Sequence, residues 1–182
     1  MMNLVYTEDH GIPGINYYWV RNEMYNLTHD ELRSVGVVDG RSQVSEEIIE
    51  PLKRADASLR EYGYSLTTKD GYRSADLYRL VYEKRVAKYG KEETDKILNV
   101  VTMPHASGKV VDVALLNVTD GKEVMMRKKE DGTDAFFVDF YRSKSDKQSV
   151  EYQRLQDLLF KVMTDQGFVL GSKKEYWHFE LR

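Results

Sequence analysis

The chain has 182 residues, no cysteine and four histidines, so no disulfide staples the fold and any metal must be held by histidine and carboxylate. Apolar residues make up 41% and charged residues 31%, the balance of a globular chain rather than a disordered one. Net charge is −3, from 27 Lys+Arg against 30 Asp+Glu interspersed along the chain, which leaves no basic block to attract nucleic acid. No apolar run approaches the ~18 residues that cross a bilayer. Residues Met1 to His10 have neither a basic nor an apolar signal region, so the expected location is cytoplasmic. The length suits one domain over 1–182, able to bury its own core.

In chain order, residues 1–44 read as an irregular segment packed on the rest or lining a cleft, with Gly11, Pro13 and Gly14 marking a turn. Tyr17, Tyr18 and Trp19 are candidates for either a cavity wall or core. A helix is expected over about 45–62. Ser45 would cap it, Glu46 and Glu47 suit its dipole, and Ile48, Leu52, Ala55 and Leu59 recur at helical spacing. Pro51 requires that the regular helix start there or bend. A strand over 64–69 leads into the turn Asp70-Gly71-Tyr72-Arg73. A helix over about 74–89 ends at Gly90, and a shorter one covers about 92–98. Residues 109–118 read as a buried strand. Asp120-Gly121 signals a hairpin, with 122–127 as partner strand. Residues 150–164 form an amphipathic helix with Leu155, Leu158, Leu159 and Val162 toward the core. Closing strands follow over 167–170 and 174–181. Helices first and hairpins after point to an α+β fold with a small antiparallel sheet on which helices pack.

Two of the four histidines sit in suggestive company. His105 follows Pro104 on a loop, with Gly108 and Asp112 beyond it, and His178 closes Glu175-Tyr176-Trp177-His178. Two histidines and an aspartate make a three-ligand set with the fourth position open, the count expected of a catalytic zinc. His-x-x-Gly-x-x-x-Asp arises by chance in about 0.02 of chains of this composition and Glu-x-x-His in about a third, so the first motif carries the weight. Residues i and i+3 of a straight strand face opposite ways. Glu175 and His178 therefore converge only across a bend or bulge, or if Glu175 precedes the regular strand. Lys128-Lys129 and Lys173-Lys174 read as solvated loop charges, and His10 and His29 as surface residues.

These segments resemble the zinc D-alanyl-D-alanine dipeptidases, the vancomycin-resistance dipeptidase type, within the zinc D,D-peptidase family. Its signatures are Ser-x-His-x-x-Gly-x-Ala-x-Asp, Glu-x-Trp-His and an upstream Asp-x-Tyr-Arg. Here they correspond to His105…Gly108…Asp112, Glu175-Tyr176-Trp177-His178 and Asp70-Gly71-Tyr72-Arg73, in the same order over about residues 45–182. The resemblance implies one Zn²⁺ per chain on His105, Asp112 and His178. It implies that Glu175 moves a proton from the attacking water to the leaving amine, and that Arg73 hydrogen-bonds the developing oxyanion. Asp70 either orients Arg73 or simply forms the turn. The family serine two residues before the first ligand is Met103 here and the family alanine is Val110, which puts substrate preference in question. The family aspartate that receives the substrate's amino terminus, in Gly-Thr-x-Phe-Asp, corresponds to Asp139 first and Asp134 second.

The expected activity is zinc-dependent hydrolysis of D-Ala-D-Ala or a related small dipeptide. The alternatives are a peptidoglycan carboxypeptidase or endolysin-like peptidase on longer stem peptides, and a non-catalytic zinc-binding domain. No nucleic acid or membrane partner is expected.

Overall fold

In the computed structural model, which describes residues 2–96, 98 and 100–182, the elements run β1 (Leu4–Tyr6), α1 (Tyr17–Val20), α2 (His29–Ser34), β2 (Gln43–Ser45), α3 (Ile49–Arg60), β3 (Tyr64–Asp70), α4 (Ala75–Tyr89), α5 (Lys91–Asp95), β4 (Val110–Asn117), α6 (Lys147–Asp165), β5 (Phe168–Leu170) and β6 (His178–Leu181). Two small sheets have the orders β1-β2 and β3-β4-β6-β5. The pairs β1/β2 and β5/β6 are antiparallel, so the α+β expectation holds. By packing, the chain forms one unit from 1–47 with 68–111 and another from 48–67 with 112–182.

The first unit departs most from the sequence reading. Residues 1–44 are not irregular: they hold β1, α1, α2 and most of β2. Local side chains explain the short helices. Asn16 Oδ1 accepts the Trp19 N–H at 3.1 Å at the start of α1. At α2 the Thr28 hydroxyl accepts the Glu31 N–H at 3.1 Å while Glu31 accepts the Thr28 N–H at 2.8 Å, a reciprocal capping box. Elements of four to six residues are too short for hydrophobic periodicity to register. Ser45 caps nothing. It lies in β2 opposite Leu4, and its N–H goes to the Gly108 carbonyl at 2.8 Å. Tyr18, Tyr25, Leu27, Leu32, Leu77, Tyr78, Val81 and Leu98 form this unit's core. Ser74 starts α4 by accepting the Leu77 N–H at 3.1 Å, as a helix N-cap should. The expected helix over 92–98 is observed as α5; its continuation includes Ile97, outside the described residues.

In the second unit a single 3₁₀ turn, Glu46–Ile48, leads from the first unit's chain into α3. Pro51 falls in the first turn of α3, where its missing N–H breaks no helical bond. Leu52, Ala55 and Leu59 of α3 are buried, as are Leu155, Leu159, Val162 and Met163 of α6, and α6 packs on both α3 and β5. Arg54 Nε also donates to Gln166 Oε1 at 2.8 Å. The Asp120-Gly121 turn forms, but no strand covers 122–127. One bridge, Leu116 with Glu123, is made before the chain leaves the sheet. Backbone groups there find other partners: Gln156 Nε2 donates to the Met126 carbonyl at 2.7 Å, and the Lys128 N–H donates to the Tyr141 hydroxyl at 2.8 Å. Buried backbone polar groups need a partner, and side chains supply it here as well as a ladder would. The last strand is also shorter than expected, beginning at His178 rather than 174.

Candidate metal centre

The Asp70-Gly71-Tyr72-Arg73 turn follows directly from β3, and Asp70 does both things the sequence offered for it. Its Oδ1 accepts the Gly71 N–H at 3.0 Å, shaping the turn, and its Oδ2 accepts from Arg73 Nη2 at 2.5 Å. The pair is buried, with side chains 3% and 9% exposed. Arg73 lies over the rings of Tyr18 and Tyr78, with Cζ to centroid distances of 4.9 and 4.6 Å. Burial opposes the guanidinium charge, yet the pKa stays above its ordinary value, with the ionised, hydrogen-bonded Asp70 among the groups that hold it there. Burial likewise pushes the Tyr18 hydroxyl up, so that phenol stays protonated. Arg73 Nε is buried with no hydrogen-bond partner among the described residues.

His105 sits on a 3₁₀ turn, Pro104–Ser107, entered through Met103 in the left-handed region (φ 42°, ψ 61°) and left through Gly108 at φ 69°. An added Cβ on Gly108 would lie 3.1 Å from the Ser45 backbone nitrogen, so glycine serves here for both conformation and space. His105 is 2% exposed. Its Nδ1 lies 2.8 Å from the Gly71 carbonyl. A carbonyl only accepts, so Nδ1 carries the proton and Nε2 the lone pair, the arrangement that orients a metal-binding histidine. Its backbone is held as well: the His105 N–H donates to the Tyr78 hydroxyl at 3.0 Å, and the Arg73 N–H to the His105 carbonyl at 3.3 Å.

In the second unit, Asp112 lies on β4 and His178 opens β6, with His178 Nδ1 2.8 Å from Asp112 Oδ1. The Val113 N–H donates to the Trp177 carbonyl at 3.0 Å, fixing the approach of the two segments. Glu175 precedes the strand. The His178 N–H donates to the Glu175 carbonyl at 3.2 Å, closing a turn, and Glu175 Oε2 lies 4.0 Å from His178 Nδ1. This turn removes the objection that i and i+3 face opposite ways in a strand. Gly171 backs the imidazole so closely that an added Cβ would lie 2.4 Å from His178 Cδ2.

The two candidate amine acceptors lie elsewhere in this unit, and both are exposed. Asp139 accepts from Arg142 Nε at 2.8 Å, and Arg142 also holds Asp157. Asp134 begins the short turn Asp134–Phe136. The sequence reading missed Tyr78 on α4, and Gly171, which reads only as part of the turn between the closing strands.

His105 in the first unit, and Asp112 and His178 in the second, each offer one ligand atom. Two imidazoles and a carboxylate, without sulfur, suit zinc. Among the described residues no helix is long and apolar enough to cross a membrane.

Among the solved structures that resemble the chain are two peptidases. One is the LdcB LD-carboxypeptidase, at 19% identity and TM-score 0.49, covering 76% of this chain and 59% of that one. The other is a mutant of the vancomycin resistance D,D-pentapeptidase VanY from the VanB-type cassette in complex with Zn(II), at 16% identity and TM-score 0.49, covering 77% and 73%. The chain thus spans 59% of the length of that carboxypeptidase. Among curated proteins none matches. Residues 25–182 match the M15 peptidase family, described as D-ala-D-ala dipeptidase, and the chain belongs to that family.

Proposed function

We propose that the chain is a zinc peptidase that hydrolyses D-Ala-D-Ala or a closely related small dipeptide, with one zinc on His105, Asp112 and His178. The observation that carries this reading is a sulfur-free set of two histidines and an aspartate in a chain of the M15 family, with His178 and Asp112 held 2.8 Å apart. When bound, zinc supplies a Lewis acid that polarises the scissile carbonyl and makes water acidic near neutral pH. Glu175 accepts the proton of the attacking water and delivers it to the leaving amine. Its turn geometry, 4.0 Å from His178 Nδ1, supports that role. Arg73 donates to the carbonyl oxygen as negative charge develops there. Its support is a permanently charged, buried guanidinium locked by Asp70, with a donor to spare; preorganised donors of this kind are typically worth about 3–4 kcal/mol.

Because Asp139 is engaged by Arg142, we assign the contact with the substrate's free amine to Asp134. The exposure of both aspartates also favours a second reading, cleavage of longer stem peptides, since a site that selects free dipeptides by their amine needs an enclosed acceptor. The deciding assay compares D-alanine release from D-Ala-D-Ala and from an N-capped tripeptide by the zinc-loaded protein. Release from the dipeptide alone is expected. Activity confined to the capped peptide would overturn the dipeptidase reading, and inertness toward both would overturn the peptidase reading altogether.

A further inference from the structure

We propose that Tyr78 is a positioning residue that couples the arginine to the first metal-binding histidine, holding the His105 loop with its hydroxyl and Arg73 with its ring. The proposal rests on the zinc reading above.

Tyr78 projects from α4 and is 1% exposed. Its hydroxyl oxygen accepts the His105 backbone N–H at 3.0 Å, and its ring face lies 4.6 Å from Arg73 Cζ. One side chain thus touches both groups through different chemistries. The hydroxyl matters because His105 is buried, and a buried backbone N–H without an acceptor is strongly disfavoured. The ring matters because a desolvated guanidinium gains from an aromatic face. The loop needs such external restraint. It is entered through Met103 in a left-handed conformation that residues with a Cβ rarely hold, and strained backbone persists only where surrounding bonds over-determine it. The other restraints converge on the same group: the Gly71 carbonyl takes the Nδ1 proton, and the Arg73 N–H binds the His105 carbonyl. Tyr78 is a restraint that comes from outside the Asp70–Arg73 turn. It therefore ties turn, loop and helix into one register before any metal arrives.

The test uses the full chain and zinc itself. Zinc affinity is measured by competition with a chromophoric chelator, beside the kinetics at saturating zinc. Tyr78→Phe keeps the ring and removes the acceptor; its zinc dissociation constant is expected to rise at least about tenfold, the usual consequence of losing an outer-shell partner. Tyr78→Leu removes the ring as well, and its kcat is expected to fall about tenfold below that of Tyr78→Phe while KM moves less. Hydrogen exchange at the His105 amide of wild type is a measurement independent of whether either variant folds. That amide is expected to be protected in the zinc-free protein, and exchange there at an unprotected rate would overturn the proposal. Zinc affinity of Tyr78→Phe equal to wild type would overturn it too, and equal kcat in the two variants would overturn the part concerning Arg73. A wild type that binds no zinc would instead overturn the underlying zinc reading.

Discussion

His178 Nδ1 lies 2.8 Å from Asp112 Oδ1, although 66 residues separate them. The other edge of the imidazole faces Gly171, whose amide donates to the His178 carbonyl at 2.9 Å. The ring is thus set between a carboxylate on one side and bare backbone on the other. Its Nδ1 edge is the one turned toward Asp112 and Glu175.

Gly171→Ala places a methyl 2.4 Å from His178 Cδ2. Something must move, and overpacking of this kind costs about 1–3 kcal/mol. The imidazole is expected to tilt away and zinc affinity to fall about tenfold or more, read by chelator competition. Unchanged affinity would show that the loop yields instead of the ligand.

Asp70→Asn removes the charge that compensates buried Arg73. Breaking one side of a buried ion pair typically costs about 3–5 kcal/mol. A large drop in the urea midpoint is expected, together with a loss of kcat as the guanidinium loses its fixed orientation. A variant as stable as wild type would mean that Arg73 finds another partner on repacking.

Glu175→Gln keeps the shape of the side chain and removes the base. Turnover of the dipeptide is expected to fall about 10²–10⁴-fold, with the zinc content of the purified protein unchanged. Loss of zinc together with activity would assign Glu175 to holding the metal rather than moving protons.

Asp134→Ala is expected to raise KM for the dipeptide without affecting a capped tripeptide, whereas Asp139→Ala, which breaks only the exposed pair with Arg142, is expected to leave both substrates alike. The reverse pattern would return the amine contact to Asp139.

The α2 capping box titrates at low pH. The hydrogen bond from Lys84, ahead of that from the Thr28 N–H, lowers the Glu31 pKa from 4.5 to about 2. A carboxylate depressed in the folded state contributes stability that is present above its unfolded pKa and lost as pH falls through the folded value. The advantage of wild type over Glu31→Gln is therefore expected in full above about pH 5, declining toward pH 2. Urea midpoints across that range would measure it, and a difference independent of pH would refute the assignment.

The His-x-x-Gly-x-x-x-Asp and Glu-x-x-His spacings were enough, with no coordinates, to propose a ligand set, because the chemistry of a sulfur-free zinc site restricts the residue types so tightly. The longer helices α3 and α6 were equally legible, since each repeats its apolar positions over several turns, while α4 was legible from Ser74 and Gly90 at its ends. Short elements were not: the β1/β2 pair and the capped turns of 1–44 are built by single side chains rather than by periodicity. Nor could the sequence decide between the two geometries of Glu175 and His178. Only the backbone turn that ends at His178 does so, through a bond between the His178 N–H and the Glu175 carbonyl. The roles of Tyr78 and Gly171 likewise exist only in three dimensions. One is a core aromatic until its hydroxyl meets the His105 amide, and the other is a loop glycine until an imidazole packs against it.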